Sequence, residues 1–167
     1  VGIAAIQLAK AAGIHVIATT RSEGKAGMVK SYGADAVVID DEDIAEAVKE
    51  QYPRGVDRVL ELVGTATMKQ SPSFLKRHGI LCLTGILGGS WVAEGFEPLD
   101  DIRAGTYLTS FHSDTVNGER FGSMLRMIEK HHIKAPVAAI FSLDEIGRAH
   151  ALMESNTANG KIVVVNG

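Results

Sequence analysis

VGIAAIQLAKAAGIHVIATTRSEGK (residues 1–25) decides the fold of this chain. Ile3, Ile6, Ala9 and Ala12 recur at helical spacing, and Gly13 supplies the stop. IHVIAT (14–19) is short and β-branched, as a strand covered on both faces should be. Val1-Gly2 reads as the end of a glycine-rich turn that feeds the helix. A turn of that kind normally hangs from a preceding strand, and no such strand lies ahead of Val1 in this chain.

The same alternation continues outward. GKAGMVKSYGA (24–34) predicts a helix ended by Gly33, and DAVVI (35–39) a strand. EDIAEAVKEQY (42–52) is helical, with Ile44, Ala45 and Val48 on one face; Asp40 and Asp41 stand where they would cap it. VDRVLELV (56–63) is a strand, and 65–77 a helix that Pro72 bends or divides. GILCLTG (79–85) is a strand, followed by a Gly-rich loop of about twenty residues, a length that usually marks a lid or a partner surface. TYLTSF (106–111), a helix over 118–132, a strand over 135–143, a helix over 144–154 and KIVVV (161–165) complete the chain. Helices alternating with apolar strands predict an α/β fold, a doubly wound parallel sheet covered on both faces.

Composition narrows the function classes. The 167 residues are 46% hydrophobic and 22% charged, which suits one globular domain with an appendage. With 17 Lys and Arg against 20 Asp and Glu, the chain has no basic stripe for nucleic acid. No apolar run is long enough to span a membrane, and no leader pattern opens the chain. The single cysteine, Cys82 in GILCLTGI, reads as a buried small hydrophobe, and its solitude points to a reducing, cytoplasmic setting. His131 and His132 fall on different helix faces, and no His/Cys/acid spacing of a metal site occurs, so no metal is expected.

The ordered set of VGIAAIQLAK, GILCLTGILGG, GTYLTSF and SLDEIGRAHALMESNTANGKIVVV resembles the cofactor domain of the medium-chain dehydrogenase/reductase superfamily. Within it, the zinc-independent quinone oxidoreductases are the nearest branch. Gln7, Ala9 and Lys10 stand where that family carries a Gln and an Ala-Lys pair. The resemblance covers nearly the whole chain. It implies a Rossmann-like sheet without its first strand over 1–115. Residues 116–167 become a helix-strand-helix-strand extension that would pack on an N-terminal catalytic domain. It further implies an NADPH-dependent oxidoreductase that transfers hydride to a carbonyl, quinone or activated alkene, with the small-molecule substrate reached through the other domain; the fragment alone would then be inactive. The alternatives are a non-catalytic nucleotide-binding module or an enoyl-reductase piece of a multidomain synthase. A different Rossmann-type protein, such as a methyltransferase, is a further alternative.

The candidate cofactor residues follow from the chemistry of the carboxyl ends of the strands. Val1 and Gly2 open a helix whose free N–H groups and dipole suit a diphosphate. After Thr20 come Arg21, Ser22 and Lys25, a guanidinium fork, a hydroxyl and a point charge suited to the 2′-phosphate of NADP. No acid stands at 20 or 21 to favour the 2′-hydroxyl of NAD, and Glu23 reads as helix-terminus charge. The family's Tyr after the third strand is replaced by Asp40-Asp41. Gly64 and Thr84-Gly85 stand at the carboxyl ends of strands, the edge where open α/β sheets bind ligands. By resemblance, the backbone around Thr84, Gly85 and Leu108 would border the nicotinamide end, with Trp91 and Phe96 either walling that pocket or packing the loop down. No catalytic acid or base is assignable, since His78, His112 and Tyr107 all have structural readings.

A sheet lacking its central strand would leave two rows of backbone groups unpaired, each costing about 1–3 kcal/mol if buried. A homodimer, swapped or joined through its sheet, is the expected repair; closing up of the sheet and insertion of KIVVV (161–165) are the alternatives.

Overall fold

The computed structural model describes residues 1–41, 43–113 and 117–166. Its elements are α1 (Gly2–Ala11), β1 (Ile17–Thr20), α2 (Glu23–Ser31), β2 (Ala36–Ile39), α3 (Ile44–Gln51) and β3 (Val56–Glu61). A 3-10 turn (Ser71–Phe74), β4 (Leu75–Leu83), α4 (Pro98–Asp101) and β5 (Tyr107–Ser110) follow. The chain closes with α5 (Gly118–Lys130), β6 (Val137–Ser142), a 3-10 turn (Leu143–Glu145), α6 (Ile146–Glu154) and β7 (Lys161–Val165). The anticipated domain boundary at 115/116 and the start of the 42–52 helix fall outside the described residues.

Every strand pair is parallel, in three groups: β1–β2, β3–β4–β5 and β6–β7. Alternation along β1 and β2 sends side chains to opposite faces, and each face finds its own cover. Ala18 and Val37 pack with Ile6 of α1 and Val29 of α2. Ile17 and Val38 pack with Ile44 and Val48 of α3 and with Phe74. Helices therefore cover both faces of one parallel pair, the doubly wound arrangement expected. Phe74 also precedes β4 directly, which joins this layer to the second sheet.

In that second sheet Val59, Leu81 and Leu108 share one face. Leu81 and Leu108 line a small apolar cavity with Met68, Pro72, Leu75 and Phe96. The opposite face, with Leu60, Cys82 and Thr109 in register, is open: Leu60 is 47% exposed. Cys82 is accordingly half-buried rather than buried, its sulfur 3.5 Å from the Thr84 hydroxyl.

Two sequence expectations are corrected here. Residues 65–77 form no α-helix; they are turns, then the 3-10 turn, then the first residues of β4. Pro72 has no N–H and sits at the start of the 3-10 turn, while the wholly buried Leu75 already pairs with Val56. β4 then bulges: β3 advances two residues from Val56 to Arg58 while β4 advances five, from Leu75 to Ile80. His78, at the bulge, takes a positive φ of 65° and donates its N–H to the Gly105 carbonyl. The cap of α3 is Asp43, which accepts the Glu46 N–H; Asp41 instead accepts the N–H of Asp43, and Asp40 donates its own N–H to Thr20.

The repair of the sheet by closing up or by KIVVV is also not what the chain does. β1 and β3 are not hydrogen-bonded to each other, and β7 pairs with β6. Gln7 of α1 clamps the C-terminal segment, donating to the Lys134 carbonyl (2.9 Å) and accepting its N–H (3.1 Å). Lys10 grips Asp35 at 2.7 Å. These two contacts give the helix polar residues a positional role within the chain.

Candidate functional site

In a parallel α/β layer, a helix returns antiparallel to its strand, so helix N-termini and strand carboxyl ends share one edge. Here that edge gathers four segments. The first is the start of α1. Its first backbone bond is donated by Ala5 to Val1, which leaves the N–H groups of Gly2, Ile3 and Ala4 outside the helix ladder. A Cβ placed on Gly2 would meet only the Leu62 Cδ1, at 3.8 Å, an ordinary contact. Packing therefore does not demand a glycine at this position, and the open space above the helix end suits the close approach of an anion.

The second segment is Thr20–Ser22, which joins β1 to α2. The Thr20 hydroxyl accepts the Ser22 N–H at 3.2 Å, turning the chain directly into the helix. The Ser22 hydroxyl makes no cap bond to α2, and its carbonyl accepts the Lys25 N–H. Arg21 is exposed, while Ser22 and Lys25 are half-buried. Neither Arg21 nor Lys25 forms a salt bridge among the described residues. Among the described residues, no carboxylate occupies the cations of this turn. Asp40, one strand over, is held by its backbone to Thr20.

The third and fourth segments are the turns after β3 and β4, and they interlock. Gly64 has φ +97°, and a Cβ there would stand 2.5 Å from the Gly85 carbonyl oxygen. A Cβ on Gly85 would stand 1.8 Å from the Leu62 carbonyl oxygen. Both glycines are required by backbone approach. Thr84 and Gly85 donate their N–H groups to the Glu61 carbonyl at 2.9 and 3.1 Å. Gly88 donates to Val63 at 2.7 Å, which carries the long loop back over the edge.

Val1, Gly2, Thr20, Arg21, Ser22, Lys25, Gly64, Thr84 and Gly85 thus lie along one edge. Leu108 does not: it is the second residue of β5, paired with Leu81 and set in the apolar cavity below the edge. Phe96 lines that same cavity, so the loop packs down through it, whereas Trp91 is 77% exposed. His78 and Tyr107 lie toward the amino ends of their sheet, and His112 follows β5 at the carboxyl end. Sequence reasoning passed over Glu61 and Ser71, the only polar residues buried among the described ones. The available signal was a lone acid within the apolar run Val59-Leu60-Glu61-Leu62-Val63, just ahead of Gly64.

No group of three or more His, Cys, Asp or Glu side chains among the described residues could hold a metal ion. No helix among them is long and apolar enough to cross a membrane.

Comparison with known proteins agrees with the α/β fold. A family model described as zinc-binding dehydrogenase matches residues 1–130. An acryloyl-coenzyme A reductase of Sulfurisphaera tokodaii is 30% identical over 167 residues, covering 98% of this chain and 47% of the relative. A mycobacterial protein solved in complex with NADPH superposes with a TM-score of 0.81 at 28% identity, covering 98% of this chain and 52% of that one. An NAD-dependent alcohol dehydrogenase structure superposes with a TM-score of 0.83 at 25% identity, covering 99% and 48%. The chain spans about half the length of the curated full-chain relatives it matches.

Proposed function

Because the chain belongs to the zinc-binding dehydrogenase family, we propose that it is the cofactor-binding part of an NADPH-dependent oxidoreductase that reduces a carbonyl, quinone or activated alkene. The observation that carries this reading is the turn after β1. It offers Arg21, Ser22 and Lys25, with no acid at positions 20–22 and no salt bridge tying up either cation among the described residues. A guanidinium beside a hydroxyl suits a 2′-phosphate, which NADP has and NAD lacks.

In this reading the start of α1 holds the diphosphate through the N–H groups of Gly2, Ile3 and Ala4, aided by the positive end of the helix dipole. Arg21, Ser22 and Lys25 hold the 2′-phosphate. The interlocked turns at Gly64 and Thr84-Gly85 form the floor for the nicotinamide. NADPH supplies the hydride when bound; the protein binds and orients it. The substrate is taken between this edge and a further part of the protein. The apolar face of α5, where Phe121 and Leu125 are about half exposed, is available to pack against that part.

Calorimetric titration of NADPH and of NADH tests the proposal, on this chain and on a form extended at its N-terminus. Tighter binding of NADPH is expected. A preference for NADH in the extended form overturns the role given to Arg21, Ser22 and Lys25.

A further inference from the structure

We propose that Glu61 is a positioning residue that holds the two turns at the carboxyl edge of β3 and β4 in the shape that receives the dinucleotide, an inference that rests on the cofactor reading above. Glu61 is only 6% exposed, which places both carboxyl oxygens inside the protein. Such a group is tolerated only where neighbours satisfy it. One oxygen accepts the N–H groups of Val63 (2.8 Å) and Gly64 (3.2 Å). The other accepts the hydroxyl of Ser71, itself buried. The main-chain carbonyl of the same residue accepts the N–H groups of Thr84 and Gly85.

Through five hydrogen bonds, one residue therefore ties together the turn after β3, the turn after β4 and the 3-10 turn. Nothing in that assembly has slack. Leu62 and Gly85 are in backbone contact, as are Gly64 and Gly85, at separations that admit no Cβ. Leu62 also reaches the start of α1, its Cδ1 lying 3.8 Å from the Cβ position of Gly2. A carboxyl pulling the Val63 and Gly64 N–H groups inward sets where Leu62 and Gly85 stand. Those two residues in turn set the distance between the helix end and the second turn. Glu61 itself is too deeply buried to act as a direct ligand, so its influence runs through these neighbours.

The test compares Glu61→Ala, Glu61→Gln and Ser71→Ala with the parent chain by titration of NADPH and NADH and by thermal melting. Glu61→Ala is expected to weaken both cofactors by a common factor of about tenfold, with their ratio unchanged, because the residue lies away from the 2′-phosphate turn. Glu61→Gln recovers most of the affinity, since its amide oxygen can accept the same two N–H groups. Ser71→Ala removes one bond, and a smaller loss of the same kind is expected; this variant decides the matter if Glu61→Ala does not fold. Lower melting temperatures with parental affinities in the folded variants would show a purely structural role and overturn the proposal. A parent that binds neither nucleotide, in the chain and in the extended form alike, overturns the cofactor reading itself and this inference with it.

Discussion

Gly85 offers the sharpest test of how the edge is built, through the substitution Gly85→Ala. Ordinary Cβ contacts begin near 3.4 Å, and the added carbon would sit 1.8 Å from the Leu62 carbonyl oxygen, 2.4 Å from its carbon and 2.6 Å from its Cα. All three are main-chain atoms, so no side-chain rotation can relieve the overlap. The two turns must separate by well over an ångström. That movement breaks or stretches the bonds from Thr84 and Gly85 to Glu61 and from Gly88 to Val63. Overpacking costs about 1–3 kcal/mol and each lost hydrogen bond about 0.5–1.5 kcal/mol, so a destabilisation of about 3–5 kcal/mol is expected. Urea denaturation followed by circular dichroism measures it, with Gly27→Ala as the internal control. Gly27 lies within α2 with nothing within 4 Å of its Cβ position, and alanine there should add about 0.5–1 kcal/mol. The reasoning fails if Gly85→Ala unfolds within about 0.5 kcal/mol of the parent chain.

Two further perturbations separate cofactor chemistry from scaffold chemistry. Arg21→Ala should raise the NADPH dissociation constant by about 5–30-fold, the share of a charge-assisted bond left after solvent screening. The NADH constant should stay within about twofold, and equal losses for the two nucleotides would remove Arg21 from the 2′-phosphate. At the opposite edge, the hydrogen bond from Lys10, then the Val16 N–H, hold the Asp35 carboxyl below its ordinary value of 3.8. A carboxyl lowered by folding contributes stability that is present above 3.8 and lost as pH falls through the lower folded value. Asp35→Asn should therefore flatten the acid limb of stability against pH; a slope unchanged from the parent chain would mean that the contact does not persist in solution.

The parts of this structure legible in the sequence are those set by periodicity and by local chain stiffness. KIVVV is β7 from first residue to last, and Gly13 and Gly33 end their helices at positive φ. β1 begins at Ile17 rather than Ile14 because the chain first has to leave α1, with Ile14 bonding back to Ala9. Val16 then gives its N–H to the Asp35 side chain instead of to a strand partner. The segment over 65–77 misled because its composition is helical while Pro72 and the buried Leu75 belong to a turn and a strand. The basic turn of the site was readable, since Arg21, Ser22 and Lys25 are adjacent and need no tertiary partner. Glu61 was not, because its role depends on Ser71, ten residues away, and on two turns whose closeness only the folded backbone reveals.

The unpaired strand edges carry the last prediction. Within this chain β1 and β3 each pair on one side only, and each presents a free row of N–H and C=O groups. Such edges template the addition of another strand unless charge, proline or a bulge blunts them. β1 is Ile-Ala-Thr-Thr, without charge or proline; β3 carries Asp57 and Arg58 at its amino end, yet ends Val-Leu-Glu with Leu60 47% exposed. β5 pairs only with β4, and Tyr107 and Phe111 at its ends are about half exposed. A strand from a second copy can satisfy any of these rows without burying an unpaired polar group, which is the condition association must meet. We therefore expect the chain by itself to form a sheet-joined homodimer, with a dimeric mass in light scattering at micromolar concentration. Amide exchange in β1 and β3 should then slow as the protein concentration rises. A monomeric mass with exchange independent of concentration would show that water alone satisfies these edges, and the homodimer reading would fall.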